Sequence, residues 1–167
     1  MTTQQTRDEV RTFFAQRLPG GWFEGEPDID VDDDEILVMG RLPAPEGADR
    51  VAEAARIAEW REETRGKRMA IAAEAEASWE RKVSWGARCG EVTRAFTTLS
   101  VPVMTRLRFH DRAVLDTLVE AGVARSRSEA LAWCVRLVGS HEADWLKDLR
   151  EALVGVRRVR AEGPSLI

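Results

Sequence analysis

Three groups of residues have types and spacings that could carry chemistry. Asp28, Asp30 and Asp32 alternate like the start of a calcium loop. That loop needs Gly at its sixth position and Glu at its twelfth, where this chain has Asp33 and Met39. Alternating solvent-facing carboxylates on a strand are the better reading. Cys89, Cys134, His110 and His141 form the second group. They show neither Cys-x-x-Cys nor His-x-x-x-His spacing, so structural roles are expected, with no metal, no cofactor and no catalytic residues. No phosphate loop and no Gly-x-Ser-x-Gly elbow occurs either, and an enzyme is not expected. The third group joins the alternating run Thr105-Arg-Leu-Arg-Phe109 to Ser126-Arg-Ser-Glu129. As a strand, the run would turn Thr105, Leu107 and Phe109 to one face and Met104, Arg106 and Arg108 to the other.

These groups need elements to position them. The fold class expected is α+β, mostly α, in three stretches. Residues 1–45 read as an acidic α/β module. A helix starts near Thr6, with Val10, Phe13, Phe14 and Leu18 on its apolar side, and stops at Pro19-Gly20-Gly21. Asp28–Asp32 and Glu35–Met39 follow as a β-hairpin or short meander. Residues 46–100 read as a long connecting helix, kinked or interrupted near Gly66, and a basic connector. Val51, Ala55, Ala58, Met69, Ala72, Trp79 and Val83 lie near helical spacing in it. So thin an apolar stripe calls for a partner. Residues 101–163 carry a strand and two short helices, with an extra C-terminal helix. Asp111 is expected to cap the first helix, over Arg112–Ala121, and Gly122 to stop it. Ser126 and Glu129 form a capping box for the second, which runs to Gly139. Ser140 caps a third, with Arg157, Arg158 and Arg160 late in it and Gly163-Pro164 ending it. The six Trp are assigned to core or dimer packing.

The 167 residues carry 25 basic and 29 acidic side chains, a net of −4, which excludes a uniformly basic coat. By position the sum divides unevenly. Residues 1–63 carry −9, residues 64–112 carry +5, and residues 113–167 balance. The asymmetry suggests a local anion-binding surface, although on charge alone chance clustering of surface charge is slightly favoured. Two Cys argue against a disulfide scaffold. The N-terminus lacks a signal-peptide pattern, and no apolar run approaches the roughly 20 residues of a membrane span. A cytoplasmic, nucleoid-associated protein is expected, with no membrane partner.

One strand and two short helices cannot bury their own apolar faces. The economical solution is a two-fold dimer whose strands pair antiparallel. Residues 103–139, from Val-Met-Thr-Arg-Leu-Arg-Phe-His-Asp through Ser-Arg-Ser-Glu-Ala-Leu-Ala-Trp-Cys-Val-Arg-Leu-Val-Gly, resemble the ribbon-helix-helix DNA-binding family. The alternating basic strand, the first helix ending in Gly and the capped second helix carry the likeness, over under a quarter of the chain. His110 departs from it, standing where many members place Pro.

The resemblance implies a homodimer whose two-stranded ribbon enters the DNA major groove. Met104, Arg106 and Arg108 would then face base edges, Arg on guanine and Met on a thymine methyl. Ser126, Arg127 and Ser128, at the N-terminus of the second helix, would hold a phosphate. Arg88 and Arg94 would extend the phosphate footprint. The function expected is a sequence-specific transcriptional regulator, a repressor, with higher-order assembly of dimers on DNA left open. The alternative is an antitoxin-like or scaffold protein that holds a protein partner through its N-terminal region and long helix.

Overall fold

The structure, a computed structural model, describes residues 4–97 and 99–162, without the side chains of 157 and 161. It is α+β, with six helices and a four-stranded sheet among the described residues. The chain divides into two compact units, one ending at Val103 and the other beginning at Met104.

In the N-terminal unit, α1 (Gln4–Arg17) buries Val10 and Phe14, as its spacing predicts. Strands β1 (Asp28–Val31) and β2 (Glu35–Arg41) form the expected antiparallel hairpin. Asp32 shapes its turn, its carboxylate accepting from the backbone N–H groups of Asp34 and Glu35 at 2.9 and 2.7 Å. Asp28 and Asp30 lie on the exposed side of β1, while Ile29 and Val31 point inward.

The long connecting helix is replaced by two helices, α2 (Arg50–Glu63) and α3 (Arg65–Trp79). The break falls at Thr64, and Gly66 sits inside α3. Its cause is a hydrogen-bond exchange. The Thr64 hydroxyl donates to the Trp60 carbonyl at 2.6 Å and accepts from Arg68 Nε at 3.0 Å. Arg68 also donates to the Arg61 carbonyl at 2.6 Å. The buried guanidinium thus occupies the Arg61 carbonyl, which a continuous helix would bond internally, and it lies over the rings of Trp60, Trp85 and Phe96 at 5.5, 5.9 and 5.0 Å. Burial pulls its pKa below the ordinary arginine value.

Residues 46–100 are therefore part of the α/β unit. They also supply strands β3 (Lys82–Cys89) and β4 (Val92–Ala95), where a connector was expected. The sheet order is β1-β2-β3-β4, with β2 and β3 parallel, joined by α2 and α3, and both outer pairs antiparallel. Ile36, Val38, Trp85, Ala87 and Cys89 form the buried interior with residues of the helices. Phe14 and Trp22 meet Trp85 edge-on at 5.8 and 6.4 Å. Glu76 fastens α3 to β3 by accepting from Lys82 Nζ and the Val83 N–H. Glu53, on α2, accepts from the Glu91 N–H at 3.1 Å beneath the β3–β4 turn. Gly90 in that turn has φ +53, and a Cβ there would stand 1.9 Å from the Glu53 carboxylate.

The C-terminal unit comprises α4 (Phe109–Glu120), α5 (Arg127–His141) and α6 (Ala143–Glu162). Helix α4 starts three residues before the expected Arg112. Arg108 is the N-cap, and Asp111 sits at the third helical position, accepting from the Arg108 N–H at 3.2 Å. Gly122, at φ +74, ends α4 by a Schellman motif: its N–H bonds Val119 and the Val123 N–H bonds Leu118. Helix α5 passes through Gly139, and Ser140, expected as a cap, lies inside it with its hydroxyl donating to the Leu137 carbonyl. The expected stop at Gly163-Pro164 lies outside the described residues.

Candidate nucleic-acid interface

The expected strand over 103–109 is absent: residues 99–108 carry no regular element, and Phe109 opens α4. The reason is partnership. A strand is defined by its ladder, and this single chain offers residues 103–108 no neighbouring strand. Of the three residues expected on the inward face, Leu107 alone keeps partial cover, and Thr105 is exposed. Leu107 is half-buried against the small cluster of Leu115, Ala124 and Ala130, while Met104, Arg106 and Arg108 are exposed. Met104 is 96% accessible. Phe109, expected beside Leu107, is instead 70% exposed. Arg108 has extended backbone, φ −77 and ψ 172. Among the described residues, neither the Arg106 nor the Arg108 guanidinium has an ion-pair partner.

At the start of α5, the Ser126 hydroxyl accepts from the Glu129 N–H at 3.2 Å. The Glu129 carboxylate reaches one residue further back than the capping box requires, accepting from the Arg125 N–H at 2.8 Å and pairing with its guanidinium. That side chain bond holds the Glu129 carboxyl below the usual carboxylate range. Arg127, expected at a phosphate, is bidentate to Asp116 of α4 at 2.6 and 2.7 Å. The pairing depresses the Asp116 pKa and raises that of Arg127. Sequence reasoning missed Asp116. The signal available was an acidic residue late in one helix and a basic residue opening the next, across a tight Gly122 turn.

Arg88 and Arg94 belong to the N-terminal unit. Arg88 pairs with Asp28 at 2.7 Å, and Arg94 is exposed on β4. Cys89 is buried, which raises its thiol pKa, and Cys134 packs half-buried beside the Leu115 cluster. No group of three or more His, Cys, Asp or Glu among the described residues could hold a metal ion. No helix among them is long and apolar enough to cross a membrane.

The class is thus a mixed-sheet α/β unit followed by a separately packed three-helix unit with an exposed basic segment at its start. Two family models divide the chain along the same lines. The Rv1265-like protein N-terminal domain matches residues 8–95, and the Mb1296 C-terminal domain matches residues 108–160. The chain belongs to the Rv1265-like family. It is 52% identical over 157 residues to the uncharacterized protein Mb1296 of Mycobacterium bovis and to the uncharacterized protein Rv1265 of Mycobacterium tuberculosis, covering 92% of this chain and 70% of each relative. No solved structure matches the chain significantly.

Proposed function

We propose that this protein is a DNA-binding transcriptional regulator, a repressor acting in the cytoplasm on the nucleoid as a homodimer. Residues 103–108 of two copies pair as an antiparallel ribbon that enters the major groove. The observation that carries the reading is the exposed segment at Met104, Arg106 and Arg108, whose guanidiniums are unpaired and whose backbone has no strand neighbour. Support comes from the size of the adjoining core. Leu115, Ala124 and Ala130 are its buried residues, and Val114, Val135 and Val138 stand exposed on α4 and α5. A second copy would cover them.

Arg106 and Arg108 read base edges, with Met104 against a thymine methyl. The N-terminus of α5 meets a phosphate through the backbone N–H groups of Arg127 and Ser128. Ser126 holds that end of the helix in shape, and the Ser128 hydroxyl adds a donor. The Arg127 guanidinium reaches a phosphate only by leaving Asp116. Fluorescence anisotropy on duplexes from the protein's own promoter tests the reading. Saturable binding and a footprint of two half-sites about one helical turn apart are expected. Equal, footprint-free binding to every duplex contradicts it.

A further inference from the structure

Helix α6 presents a wide apolar face that its own unit covers only in part, at Leu146. Trp145, Leu146, Leu149, Leu153, Val156 and Val159 recur at one- to four-residue intervals along one side. Trp145, Leu153 and Val159 are 55%, 45% and 64% accessible, where a core-facing stripe of a globular helix would be buried. The other side of the helix carries both signs of charge, with Lys147 near Glu151 and Arg158 near Glu162. A helix made for an anionic membrane surface would be basic there.

The charges are also divided along the axis. Residues 142–151 hold four acidic and two basic side chains, and residues 152–162 hold three basic and one acidic. The macrodipole accounts for charges in the end turns, yet Asp148 and Glu151 lie deeper than its reach. A copy of the same helix laid antiparallel sets each acidic half against a basic half and opposes the two dipoles. Laid parallel, it sets like against like. The surface is therefore complementary to itself under a two-fold axis, the condition for an isologous contact.

We infer that α6 pairs antiparallel with α6 of a second copy of this chain, centred near Ala152 and Leu153. In that register Leu146 meets Val159, and Leu149 meets Val156. Arg160, the charge that lies within the apolar face, falls on the second copy's Trp145, a cation–π arrangement. The pairing stands on α6 alone and does not rest on the ribbon or on DNA.

Cysteine cross-linking of the full chain tests it, in a Cys134→Ser background that leaves only the buried Cys89, with helicity checked by circular dichroism. At a rise of 1.5 Å per residue, two copies of residue 152 lie within about 2 Å of each other along the axis, and two copies of residue 159 about 20 Å apart. Ala152→Cys is expected to form a covalent dimer under mild oxidation. Val159→Cys is expected not to link with itself, but to link with Leu146→Cys when the two proteins are mixed. Adding Leu149→Glu and Leu153→Glu should lower the Ala152→Cys yield at least tenfold. Self-linking of Val159→Cys as fast as that of Ala152→Cys would mean a parallel pair and overturn the proposal. So would the absence of any link in a folded Ala152→Cys protein, which would leave the face to another occupant. DNA binding by the wild type is unaffected by either result, so the two readings fail separately.

Discussion

The two units solve the burial problem in opposite ways. Up to Val103, sixteen apolar residues are buried among those described, and they close a core between sheet and helices. From Met104 onward three are buried, while large apolar side chains stand exposed on all three helices. The first unit also encloses its polar groups. Arg68 lies among three aromatic rings, and Glu53 beneath a turn. The second leaves Arg106 and Arg108 open to solvent. A closed core identifies a unit whose stability is its own, whereas an unfinished one identifies the unit that associates.

The sharpest way to break this contrast is Trp85→Ala. It removes a side chain that meets Phe14, Trp22 and Arg68, and should cost about 3–5 kcal/mol. Chemical denaturation should show the loss in the N-terminal unit while the α4–α6 helical signal persists. Simultaneous collapse of both would show that the units are not energetically separate. Arg68→Met is the next largest effect. It leaves the Arg61 carbonyl without the Arg68 donor and takes one of two partners from the Thr64 hydroxyl, for about 1–3 kcal/mol in the same measurement. Gly90→Ala should cost about 1–2 kcal/mol for the left-handed backbone, plus the displacement of Glu53 from the Glu91 N–H. A neutral result would mean that the β3–β4 turn is not held from below.

In the C-terminal unit the effects are smaller and depend on pH. Asp116 and Glu129 both have depressed pKa values, from their bonds to Arg127 and Arg125. Their stabilising contribution is therefore complete above the ordinary carboxylate pKa of about 4, and is lost as pH falls through the lower folded-state values. Thermal melts between pH 5 and 2 should show this decline, and Arg127→Ala should shrink it. The smallest change expected is a gain. Asp116→Asn frees Arg127 for a phosphate and should tighten DNA binding at low salt roughly two- to fivefold.

What was legible in the sequence follows the same division. Period-two alternation marked β1, a β-rich run marked β2, and Gly122 and Ser126 marked the α4–α5 turn, because each rests on local chemistry. Strand β3 was not legible. Its buried Ser84, Gly86 and Ala87 carry little strand propensity, and Gly86 is small because a Cβ there would stand 2.8 Å from the Arg94 backbone carbonyl. The break at Thr64 was hidden for a similar reason, since Arg68 stabilises it only once Trp85 and Phe96 arrive from the sheet side. At the candidate interface, the strand on which the alternation of Met104, Arg106 and Arg108 was read does not form, and of the expected inward face only Leu107 is half-buried. The Asp116–Arg127 pair depends on how α4 and α5 fold together, eleven residues apart. Charge was redistributed as well. The +5 stretch is cut at Val103, leaving the N-terminal unit at −6 and the C-terminal unit at +2.

The central claim is that the unfinished unit completes itself as a ribbon on DNA. Its most direct test is the affinity of wild type and Arg106→Ala/Arg108→Ala for one promoter duplex across a salt series. Each base-reading Arg should contribute about 1–3 kcal/mol, and wild-type affinity should fall steeply as salt rises. Equal affinity of the two proteins at every salt concentration would contradict the account.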